Sequence, residues 1–189
     1  MTNLICLGDS LTYGLGVRPN QRWTHLLQTQ GIGVTNLGVN GDTAAGMLAR
    51  LQKMDFSTPD TAVLVMGGTN DIFCAGTDTG ARACMAAILQ QLLAMGQRPV
   101  VGIPIPVVPE MAPDKWKKLV AFTAAAAVLE TYCAWLKVYC ETFEIPVVDF
   151  RKDYVNQNGT PKRELYLDGL HPNAAGHARM AARFLEAQE

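Results

Sequence analysis

The chain has 189 residues, enough for one domain that buries about 70% of the surface its unfolded form exposes. Apolar residues make up 49% and charged residues 17%, which excludes an intrinsically disordered chain. With a net charge of −1 and no Lys/Arg run, nothing marks a nucleic-acid surface or an anionic-membrane patch.

Short apolar runs alternate with longer helical patterns. Leu4-Ile5-Cys6-Leu7 is the first run and ends at Gly8. A helix is expected over residues 23–30, then a weaker strand at Gly33-Val34-Thr35-Asn36-Leu37. Residues 44–54 read as a helix with Asp42-Thr43 as cap candidates. Ala62-Val63-Leu64-Val65-Met66 is the third strand, and residues 79–95 form the next helix, stopped by Gly96. Pro99-Val100-Val101-Gly102-Ile103 is the fourth strand. The prolines of residues 104–113 exclude regular helix or central strand, so a stiff loop follows. Residues 114–143 read as one unbroken helix. Its apolar positions Leu119, Phe122, Ala126, Leu129, Cys133, Leu136, Cys140 and Phe143 keep steps of three and four. Pro146-Val147-Val148-Asp149 is the last strand, and a helix over 174–187 starts at the Asn173 cap. Buried strands separated by helices imply a three-layer α/β/α fold with a five-stranded parallel sheet, and residues 1–189 are expected to form a single domain.

Cys6, Cys74, Cys84, Cys133 and Cys140 form no C-x-x-C pair, so free thiols in a reducing compartment are expected and zinc is not. Met1-Thr2-Asn3 runs straight into a strand without a leader pattern, and no apolar run approaches the ~18 residues of a membrane span. A cytoplasmic protein without a membrane span is the expectation.

The chemistry-bearing residues follow the strands. Gly8-Asp9-Ser10-Leu11 leaves the first strand and places a serine at the carboxyl edge of the sheet, where it could serve as nucleophile or merely cap the next helix. A serine hydroxyl needs a base to take its proton, and an imidazole base needs a carboxylate to fix its tautomer. Asp168-Gly169-Leu170-His171 can supply both from one short loop. His25 and His177 read as ordinary helix residues, and Asp9 and Asp71 as carboxylates that bond backbone amides at strand-to-helix turns. Acyl transfer also needs donors for a developing oxyanion. Two turns offer them: residues 36–43, with Gly38 and Gly41, and Gly67-Gly68-Thr69-Asn70-Asp71, with a side-chain amide.

In order, Gly8-Asp9-Ser10-Leu11, the Gly41 segment, Gly68-Thr69-Asn70-Asp71 and Asp168-Gly169-Leu170-His171 resemble the four sequence blocks of the GDSL or SGNH hydrolase family. Asn40-Gly41-Asp42-Thr43 is similar to its single-domain bacterial thioesterase and lysophospholipase branch. The resemblance implies a flavodoxin-like sheet, hydrolysis of an ester or thioester through an acyl-enzyme, and no metal or organic cofactor. Carried over, Ser10 is nucleophile, His171 base and Asp168 its orienter. The oxyanion hole would be the N–H groups of Ser10 and Gly41 with the Asn70 amide. Gly38 is a rival for Gly41, which is preferred because it directly precedes the Asp42-Thr43 helix start. The alternatives are a carbohydrate O-deacetylase of the same family and a non-catalytic flavodoxin-like binding module. The second would have no need of Asp168 and His171. Beyond a small-molecule ester substrate no partner is implied. Two apolar loops are expected to line the acyl site, one with Ile72 and Phe73, the other with Val107, Val108 and Met111. The prolines should make that cleft stiff and shallow, favouring short to medium acyl chains.

Overall fold

Strand β1 (Asn3–Gly8) is the centre from which the sheet grows in both directions. In the computed structural model, which describes residues 2–188, β1 pairs in parallel with β2 (Gly33–Gly38) on one side and β3 (Thr61–Met66) on the other. Strands β4 (Arg98–Ile103) and β5 (Val147–Asp149) extend the sheet beyond β3, giving five parallel strands in the order β2-β1-β3-β4-β5. This is the flavodoxin-like order, whose switch point lies between β1 and β3.

The strands are apolar on both faces because helices cover both. Ile5 and Leu7 of β1 and Val63 and Val65 of β3 point into one core, while Leu4, Cys6, Ala62, Leu64 and Met66 point into the other. The two cores follow from the period-2 alternation of a strand. The short helix α1 (Ser10–Tyr13) follows β1, and α2 (Trp23–Gln28) then crosses to β2. Helices α3 (Ala44–Leu51), α4 (Thr69–Ala75) and α5 (Thr79–Ala94) follow β2 and β3. After β4 come α6 (Asp114–Lys117) and α7 (Phe122–Thr142), and α8 (Ala174–Glu186) closes the chain. Residues of α3, α5 and α7 build the first core, and residues of α2 and α8 the second. No helix among the described residues is long and apolar enough to cross a membrane.

The expected helix over 114–143 is broken. Residues 118–121 turn between α6 and α7, and Leu119, placed by its spacing on the buried face, is 84% exposed. The cause is tertiary packing. Trp116 stacks on Phe122, with ring planes 5° apart, and sets its edge against His171 at 6.0 Å between centroids. An unbroken helix would carry Trp116 and Phe122 round by their own period and could not keep both rings there. From Phe122 onward the expected stripe holds, with Leu129, Cys133, Leu136 and Cys140 buried, but Phe143 lies outside α7 and is exposed.

Candidate active site

The edge of the sheet where β1, β2 and β3 end collects three of the four segments. Gly8, the last residue of β1, pairs with both Gly38 and Met66, so the turns after all three strands leave at one level. Asp9 caps α1, its Oδ1 accepting the Leu11 N–H at 2.9 Å. Ser10 is therefore the first residue of α1, where a backbone N–H has no acceptor within the helix.

The fourth segment arrives from the other end of the chain. The loop before α8 carries Asp168 and His171, and the proline-rich loop after β4 holds it in place. Val108 N–H donates to Gly169 O at 2.8 Å, and Tyr166 Oη donates to Pro106 O at 2.6 Å. Gly169 has φ +79°, and a Cβ there would collide with the Val108 carbonyl, so only glycine fits. The Ser10 hydroxyl consequently lies 3.0 Å from His171 Nε2, and His171 Nδ1 lies 2.9 Å from Asp168 Oδ2. Asp168 Oδ1 accepts the backbone N–H groups of Leu170 and His171 at 3.0 and 2.8 Å. Burial alone would raise the Asp168 pKa, but bonds from the His171 ring, the His171 N–H and the Leu170 N–H, with the charge on His171, hold the carboxyl below its ordinary value. Ser10 and His171 are 7% and 6% exposed, so this chain of hydrogen bonds is shielded from solvent competition.

The two donor turns reach the same place. Gly41 takes φ +75° with open space around it, so the backbone conformation, not crowding, calls for glycine. Its N–H donates to no group among the described residues, whereas the rival Gly38 spends its N–H on Asn36 Oδ1 at 2.9 Å. Asn70 Nδ2 donates to Asp42 O at 2.8 Å and makes a long contact of 3.5 Å with Asp9 Oδ2. One amide hydrogen is thus fixed by Asp42, and the other is only weakly engaged. Arg50 anchors this turn from α3, bonding the Asp42 carboxylate at 2.7 Å and Leu37 O at 3.0 Å. Asp71 Oδ2 accepts the Ala44 N–H at 2.9 Å, the backbone bond expected of it. Asp9 is 1% exposed, and burial pushes its carboxyl up to about 7.

Ser10, Gly41, Asn70 and His171 all open into one cleft of about 280 Å³. Its apolar lining is Leu15, Trp116, Leu119, Val120, Phe122 and Leu170. None of the residues expected to line it does so. Ile72, Val107 and Val108 are buried in the cores, Met111 packs against the second core, and Phe73 sets its edge on Phe122 from behind. Val107, Val108 and Met111 are drawn inward because their loop must carry the His171 loop. The lining residues missed in the sequence are Leu15, Leu170 and, where an unbroken helix is expected, Trp116, Leu119, Val120 and Phe122; the one signal for the turn is the charge of Lys115, Lys117 and Lys118, too much for a buried face. His25 and His177 lie outside the cleft. His177 is fully buried in α8, its Nδ1 accepting the Trp23 N–H at 3.4 Å, and burial lowers its pKa to about 4. A larger groove of about 800 Å³ follows the edge strand β2 but contains neither Ser10 nor His171.

Residues 6–179 match the sequence pattern of the GDSL-like lipase/acylhydrolase family, nearly the whole chain. The chain belongs to that family. A curated relative, esterase TesA of Pseudomonas aeruginosa, is 35% identical over 97 residues, 48% of this chain and 44% of that protein, so the chain matches less than half of that relative's length. The fold of this GDSL chain is shared with a member of the lipolytic protein G-D-S-L family from Veillonella parvula (TM-score 0.79, 24% identity, covering 97% of this chain and 96% of that one). It is also shared with the native aryl esterase of M. smegmatis (TM-score 0.78, 20% identity, covering 98% and 97%).

Proposed function

We propose that this GDSL-family chain is a serine acylhydrolase that cleaves carboxylic esters or thioesters through an acyl-enzyme on Ser10. The observation that carries the reading is the unbroken chain Ser10 Oγ, His171 Nε2, His171 Nδ1, Asp168 Oδ2, with links of 3.0 and 2.9 Å, opening on an apolar cleft.

In this mechanism Asp168, held ionised, keeps the proton of the neutral imidazole on Nδ1 and leaves Nε2 free to accept. Ser10 Oγ attacks the acyl carbonyl as its proton passes to Nε2. The tetrahedral oxyanion is met by the N–H groups of Ser10 and Gly41 and by the second hydrogen of Asn70 Nδ2, which in the resting site has only the distant Asp9 oxygen. One such donor contributes about 3 kcal/mol to lowering the barrier. His171 then protonates the leaving alkoxide or thiolate, and afterwards takes a proton from the water that releases the acid.

The apolar lining supports an acyl chain as the group held in the cleft, because sugar hydroxyls placed against Leu119, Val120 and Leu170 would lose their water without gaining partners. The volume of about 280 Å³ lies at the small end of ligand pockets and supports short to medium chains. A panel of p-nitrophenyl esters of increasing length, beside acetylated sugars and acyl-CoA, tests the reading. It expects turnover of short to medium acyl substrates; turnover of acetylated sugars alone would replace it with the deacetylase.

A further inference from the structure

Two cavities meet at the turn between α6 and α7. The first is the Ser10 cleft of about 280 Å³. The second, about 230 Å³, lies between α4 and the start of α7, with Ile72, Phe73, Ala75, Ala124 and Ala125 in its walls. Leu119 and Val120 line both, and among the described residues no other side chain does. Below them the wall continues as an aromatic pair. Phe122 faces the first cavity, Phe73 the second, and their rings meet edge to face at 4.9 Å.

We propose that Leu119 and Val120 are the chain-length selector of this site, a partition that ends the Ser10 cleft and shuts an acyl chain out of the second cavity. The inference rests on the acylhydrolase reading above. Three features of the partition fit the role. It is thin, consisting of two side chains on a turn outside any helix. Leu119 is 84% exposed, so it gains little from packing, and its place at the cavity mouth is not explained by core formation. The side chains that wall the space behind are small or apolar, which suits the tail of an acyl chain, and the polar atoms that face it belong to the backbone. Ile72 and Phe73, whose apolar character suggested an acyl site, belong to that walled-off extension.

The test uses kcat/KM for p-nitrophenyl acetate, butyrate, octanoate and dodecanoate. The proteins are the wild type, Leu119→Ala, Leu119→Ala/Val120→Ala, and the double variant carrying Ala124→Leu. Ala124 is exposed on α7, and leucine is a good helix former that would refill the second cavity there. Opening the partition should raise the dodecanoate-to-butyrate ratio by about fourfold for each methylene the second cavity admits. Ala124→Leu should reverse that gain, which general loosening of the turn would not. Should the double variant not fold, Leu119→Ala at its exposed position carries the comparison. An unchanged ratio, or a gain that survives Ala124→Leu, overturns the selector while leaving the acylhydrolase reading in place. Absence of ester turnover in every protein, with no labelling of wild-type Ser10 by a fluorophosphonate, overturns both.

Discussion

Asp168→Asn changes one atom and tests whether the site works through the tautomer of His171. Asp168 Oδ1 accepts two backbone N–H groups, from Leu170 and His171, while Oδ2 faces His171 Nδ1. An asparagine must keep its carbonyl oxygen on those two donors, since turning the amide would set an NH₂ against both. Its NH₂ then faces Nδ1, which has to accept. The imidazole proton moves to Nε2 and points at the Ser10 hydroxyl 3.0 Å away, where a proton acceptor is needed. The ring position is unchanged and only the tautomer is wrong. Triad enzymes lose roughly 10²- to 10⁴-fold in kcat on such a change, about 3–5 kcal/mol of barrier. Single-turnover acylation with a short p-nitrophenyl ester, beside thermal melting to show that the fold is kept, measures the loss. A folded Asp168→Asn protein within tenfold of wild-type kcat would refute the reasoning.

Asn70→Ala should cost about 10²- to 10³-fold, in kcat rather than KM, because the oxyanion exists only in the transition state. A pure KM effect would move Asn70 to ground-state binding. The buried ionisable groups give stability two opposed pH dependences. For His177, lowered to about 4 from 6.5, the unfolded chain binds more protons in between, so stability present above pH 6.5 is lost as pH falls towards 4, by about 3 kcal/mol in all. His177→Asn, whose amide oxygen can take the Trp23 N–H, should melt with a shallower acid slope; an unchanged slope would contradict the assignment. For Asp9, raised to about 7 from 3.8, the folded chain binds more protons in between, so stability present below pH 3.8 is lost as pH rises through 7. Asp9→Asn should remove that loss in melts between pH 4 and 8, and an equal loss in both proteins would sink the argument.

Much of the architecture could be read from the chain because parallel strands buried on both faces appear as apolar runs. The weakest run was β2, and the reason is visible: it is one of the sheet's two edge strands, at most half-buried along its length, so solvent dilutes its pattern. The break after Lys117 was not legible. No glycine or proline marks it, and α7 begins at Phe122 with Ala121 before it, which offers no side-chain cap. What breaks the helix is the packing of Trp116 on Phe122 and His171, a tertiary fact absent from local periodicity. The same divide runs through the site. The carboxyl ends of strands and the start of a helix fix where the segments of Ser10, Gly41, Asn70, Asp168 and His171 lie, and the resemblance to the four family blocks singled out these residues within them. The cleft walls were not legible, since apolar loop residues pack inward or face a ligand according to what the loop must support. Val108 supports the His171 loop through its N–H bond to Gly169 and buries its side chain, while Leu119, whose N–H bonds only to the neighbouring Trp116 carbonyl, leaves its side chain exposed.

The central claim is that Ser10 is the nucleophile. Its hydroxyl lies 3.0 Å from His171 Nε2 in the cleft, and alanine at the first position of α1 keeps the helix and removes only that oxygen. Incubation with a fluorophosphonate followed by peptide mass spectrometry measures the claim directly. The account predicts one adduct, on Ser10, absent from Ser10→Ala, which should stay folded and lose ester turnover. An adduct on another residue, or a Ser10→Ala protein that turns over ester at the wild-type rate, would contradict it.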